Sequence, residues 1–122
     1  MKDFKSFDDL IVASAPKIKK VDTTKWLGAP VYVKEFDGEA LGIFISLTQD
    51  KKNKSSESEM TATVCALALC TKDGTLMVQR KDIKTAVESL LDRNAQGLNA
   101  ISMAALTVSG LTGSELEEAG NV

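Results

Sequence analysis

Histidine is absent from the 122 residues, which removes the commonest general base, the commonest metal ligand and every catalytic dyad or triad built on imidazole. There is no GxxxxGK[ST] phosphate loop, GxGxxG fingerprint, Cys-x-x-Cys pair or EF-hand loop either. Carboxylates are scattered; Glu115, Glu117 and Glu118 suit the first turn of a helix, where negative charge is stabilising, better than acid catalysis. No catalytic residue, metal or cofactor is therefore expected. An excess of one charge is also missing. Fifteen basic side chains against 17 acidic ones leave a net −2, without the electrostatic footprint of a nucleic-acid binder. No apolar run approaches the roughly 20 residues that cross a bilayer, and the start, MKDFKSFDDL, lacks the apolar core of a signal peptide. These absences point to a binding or assembly protein that stays in the cytoplasm where it is made.

What is present centres on residues 61–71, TATVCALALCT, the most continuously apolar stretch. Val64, Leu67 and Leu69 spread around a helical wheel with Ala62, Ala66 and Ala68 between them, so no face is left for water. Alanine content and scarcity of β-branched residues favour a helix over a buried strand. Cys65 and Cys70, five apart on that helix, point in different directions and cannot pair; they read as small core residues in a reducing compartment. The predicted fold is mainly α: one domain over residues 1–122, with four or five helices around this central one. At most a short two-stranded β element is added.

Earlier in the chain, Ser6 with Asp9 resembles a helix cap, and Phe7, Leu10 and Ile11 share one face of a short helix ended by Pro16. A helix so short must dock on something or fray. KIKKVDTTK, residues 17–25, reads as a solvated linker. Trp26 is expected in the core or half-buried. Residues 31–36, VYVKEF, have strand chemistry, with TLMVQ at 75–79 as partner across the Asp73-Gly74 turn. Asp37 caps a helix in which Leu41, Phe44, Ile45 and Thr48 form the inner face. Residues 50–59, DKKNKSSESE, carry no apolar side chain and read as a mobile loop, as do the first few residues. Its Asn53-Lys54-Ser55 acceptor triplet has no meaning in a cytoplasm. Residues 81–92 place Ile83, Ala86, Val87, Leu90 and Leu91 on one stripe, and 95–108 place Leu98, Ile101, Ala105 and Val108 on another. Gly110 stops the last helix, and Ser114 with Glu117 caps a short acidic tail.

The order of these pieces, WLGAPVYVKEF before a helix, ALALC followed by TKDGTL, then DIKTAVESLL and the ending SGLTGSELEEAGN, resembles the tail assembly chaperones of long-tailed bacteriophages. The resemblance spans residues 21–121. It implies a small, mostly helical, non-enzymatic protein of the host bacterial cytoplasm, needed to build the tail and absent from the mature virion. It further implies that the chain coats the tape measure protein until major tail protein polymerises around it, as a homo-oligomer accompanied by a frameshift-extended version of itself. Neither nucleic acid nor membrane is an implied partner. Two other readings remain: a small cytoplasmic regulator, whose basic runs fall in predicted loops, and a ligand-binding module.

The candidate partner or self-association surface is Met103 and Leu106, which lie off the main stripe of the last helix, with Leu111, Glu115 and Glu118 beyond it. Met suits a surface that meets many similar helices. The competing expectation is that a neighbouring element, for instance the N-terminal helix through Phe7 and Leu10, covers Met103 and Leu106.

Overall fold

The computed structural model describes residues 3–49 and 56–111. The first expected element forms as α1, Phe7–Ala13, with the Ser6 hydroxyl accepting from the Asp9 amide at 3.1 Å. It docks on nothing among the described residues: none of its residues is buried, and Phe7 and Val12 are 73% and 77% exposed. The core itself, not α1, half-buries Leu106, while Met103 stays 61% exposed.

The lysine-rich stretch is a strand, not a linker. β1, Ile18–Val21, pairs antiparallel with β2, Val31–Lys34, through Ile18 opposite Lys34 and Val21 opposite Val31. The Glu35 amide donates to the Lys17 carbonyl at 2.7 Å and the Lys17 amide to Glu35 Oε1 at 3.1 Å, extending the pairing by one step. Only Val21 of β1 is buried, because this is an edge strand whose outer side faces solvent. Between the strands lies the single turn α2, Thr24–Leu27. Buried Thr23 donates its hydroxyl to the Ala29 carbonyl at 2.7 Å, and Asp22 Oδ1 accepts from the Thr24 amide. Gly28, at φ +84°, makes the left-handed exit. Trp26 is half-buried, its indole N–H donating to Gln96.

Asp37 caps α3, Gly38–Thr48, accepting from the Ala40 amide at 2.8 Å. Ala40, Phe44 and Thr48 are its buried residues. Arg80 approaches the Asp37 and Glu39 carboxylates at 3.4 Å each.

The apolar helix starts earlier and ends earlier than its apolar run. α4, Glu57–Ala68, opens with a capping box: the Ser56 hydroxyl accepts from the Glu59 amide at 3.2 Å and the Glu59 carboxylate accepts from the Ser56 amide at 3.2 Å. Residues 57–59 are thus helical and do not belong to a polar loop. Ala62 through Ala68 are all buried, against α3 and two later helices. At Leu69 the backbone turns extended and becomes β3, Leu69–Cys70, which pairs with β2 through Tyr32 opposite Cys70 and Val33 opposite Leu69. Cys70 is therefore a strand residue. Both cysteines are buried and free.

The Asp73-Gly74 turn forms, with Gly74 at φ +90°. The segment after it does not pair with β2 as expected. Leu76 makes one isolated bridge to Cys70, and the Met77 amide donates to the Leu69 carbonyl. A 3₁₀ turn, Arg80–Asp82, leads into α5, Ile83–Leu90, with Ile83 and Val87 buried. α6, Ala95–Val108, is capped by Asn94, which accepts from the Gly97 amide at 2.8 Å. It ends in a Schellman motif: Leu111 N–H donates to the Leu106 carbonyl, Gly110 N–H to the Thr107 carbonyl, with Gly110 at φ +69°.

Among the described residues the result is one mostly α unit with six α-helices, more than the four or five expected, and a three-stranded antiparallel sheet ordered β1-β2-β3 in place of a strand pair. Phe44, Leu67, Ile83 and Val33 are its largest fully buried apolar side chains.

Candidate functional site

α6 borders two apolar grooves through different faces, one through Asn99, Ser102 and Leu106 and the other through Leu98 and Ile101. On one flank Leu106 and Ser102 join Phe44 of α3 and Met60 and Val64 of α4 around a groove of about 280 Å³, with Glu57, Thr61 and Asn99 also lining it. Leu106 is half-buried there. Met103, one helical step farther around, is 61% exposed. The Asn99 side-chain amide approaches its sulfur at 3.6 Å, and the Thr107 hydroxyl donates to its carbonyl. Leu111 is half-buried and packs against the core, drawn back by the Schellman bond to Leu106. Three of the sequence-predicted residues, Met103, Leu106 and Leu111, are therefore brought to one end of α6. Glu115, Glu118 and the Ser114–Glu117 cap lie outside the described residues, as do residues 50–55 and the first two.

The opposite flank holds a groove that the sequence did not reveal. Leu98 and Ile101 of α6, Leu27 of α2, Val31 of β2, Leu69 of β3, Met77 and Leu90 of α5 enclose about 430 Å³. Arg93 is the sole charged residue lining it, beside Asn94. Leu27 and Met77 on its margin are 45% and 56% exposed. It is assembled from five elements and the turn after β3, so no single periodicity announces it.

Among the described residues no cluster of three or more His, Cys, Asp or Glu is placed to hold a metal ion. Burial pushes the Cys65 thiol up to about 12, and its Sγ donates to the Leu98 carbonyl at 3.2 Å. Such a thiol stays protonated and is a packing group at neutral pH. Burial also raises Cys70. Asp73 is held below the usual carboxylate range by the Thr71 hydroxyl and the Thr75 amide, which fix the turn. Asp22 is lowered similarly by Thr24.

This arrangement leaves two apolar grooves bordering α6. No described helix is long and apolar enough to cross a membrane. Comparison of the chain with family models, with curated proteins and with solved structures finds no match.

Proposed function

We propose that the protein is a tail assembly chaperone of the long-tailed bacteriophage type: a non-enzymatic cytoplasmic factor that holds the tape measure protein in soluble form until major tail protein encloses it, and that is left out of the mature virion. The observation that carries the binding part of this reading is the groove between α3, α4 and α6, with Met103 standing exposed at its margin. An amphipathic helix recognises such a groove through apolar anchors at i, i+3, i+4 and i+7. The flexible thioether of Met103, and that of Met60 within the groove, can repack against successive helical segments that differ in detail. The tail role itself comes from the order of sequence motifs. Many weak contacts along one long ruler give high overall occupancy while each stays weak enough for major tail protein to displace. A frameshift-extended version sharing this domain would dock through the same groove.

Met103→Lys tests the assignment directly. Because Met103 is exposed, the variant keeps its thermal midpoint, while affinity for tape measure fragments encoded by the same genome falls by roughly tenfold or more, as for an interface anchor. Unchanged affinity in a folded Met103→Lys protein removes this face from the mechanism. A fragment series that never binds wild type removes the tape measure as partner.

A further inference from the structure

The groove bounded by α3, α4 and α6 carries charge at one end only. Glu57, Met60, Thr61 and Val64 line it from α4 at i, i+3, i+4 and i+7, so they form one face about 10 Å long, from Glu57 in the first turn to Val64 about two turns on. Phe44 and Leu106 extend its apolar part, and Glu57 is the sole charged residue in the lining. Glu57 is exposed, and its carboxylate has no hydrogen bond or ion pair among the described residues. Glu59, in the same turn, is engaged in the capping box with Ser56. The helix dipole favours an acid in this turn on any face. The face that Glu57 takes is the one that lines the groove.

The second groove carries the opposite sign, since Arg93 is the charged residue that lines it, 3.6 Å from Asp92. One charge each therefore tells two apolar grooves apart. Resting on the reading that the first groove takes an amphipathic helix, we infer that Glu57 selects which helix: the segment bound there carries a Lys or Arg at the Glu57 end of its apolar stripe, about two helical turns from the anchor that meets Val64. A basic side chain at that place meets the unpaired carboxylate in the Glu57 groove and like charge in the Arg93 groove. An acidic one meets the reverse. The pair lies at the solvated margin, so it acts on the choice between segments, while the apolar anchors supply most of the affinity.

Tape measure fragments that bind the wild-type chain are expected to share this basic residue. Changing it to Glu in the tightest fragment lowers affinity for wild type by roughly fivefold, and Glu57→Lys lowers affinity for the unaltered fragment by a similar factor. The two changes together restore most of the loss, which a merely structural role for Glu57 would not do. Glu57→Gln, which keeps the shape and removes the charge, makes the affinity less sensitive to salt. Glu88→Lys makes the same change in net charge at an exposed position lining a different cavity, and leaves affinity unchanged. Binding fragments without a shared basic residue, a charge swap that restores nothing, or a Glu57→Lys protein that binds as before each overturns this inference while the groove reading stands. A fragment series that never binds wild type overturns both.

Discussion

Cys65 shows how a side chain commonly associated with chemistry can be committed to packing. It is fully buried, donates to a helix carbonyl, and has its thiol raised from about 9 to about 12 by desolvation. A group whose folded value lies above its unfolded one contributes stability that is complete below the unfolded value and is lost as pH rises through the folded one. The fold is therefore expected to weaken between about pH 9 and pH 12, with the unfolded chain releasing the proton that the folded chain retains. Urea midpoints measured across that window check this. In the same samples at neutral pH, iodoacetamide should leave Cys65 unmodified until denaturant is added. Rapid labelling of native Cys65 would mean that the α4–α6 contact opens readily. The sequence supports the small-core reading of both cysteines, since each sits among alanines and leucines. It does not tell that Cys70 leaves the helix.

Some element ends were legible from the single residue that closes them. Asp37 marks the start of α3 by accepting from the Ala40 amide, and Gly110 marks the end of α6 by taking up a positive φ. α4 was harder at both ends. Its start lies inside a polar run, where the Ser56-x-x-Glu59 spacing was available but masked by the surrounding charges. Its finish lies inside an apolar one: a segment apolar on every face has no periodicity to lose, so the switch from helix to strand at Leu69 leaves no trace. β1 went unseen for the opposite reason, since an edge strand with one buried residue lacks the alternation of a half-buried one. The capping box carries its own prediction. Ser56→Ala leaves the Glu59 amide without its side-chain acceptor and should cost about 1 kcal/mol, read as a lower urea midpoint at unchanged slope. No change would mean that the first turn of α4 is frayed in solution. Of the candidate site, the Met103–Leu106–Leu111 end was legible as apolar surplus on α6, whereas the second groove depends on how distant elements meet.

At the scale of the molecule, the sheet has an open side. Among the described residues β1 pairs only with β2, and Ile18, Lys19 and Lys20 along it are exposed. Unpaired strand edges invite the edges of other molecules, and lysine is a common device against this, since joining two such edges brings like charges together and strips their water. The substitution pair Lys19→Val and Lys20→Val turns the strand into Ile-Val-Val-Val. It should leave the monomer folded at low concentration but produce thioflavin-positive fibres on concentration, where wild type stays clear. A variant that remains clear would show the edge is shielded by something other than charge. Under the proposed function, in which many copies line one long ruler, these two lysines separate orderly crowding from precipitation: neighbours can meet through their side-chain surfaces while their backbones are kept from zipping into a common sheet.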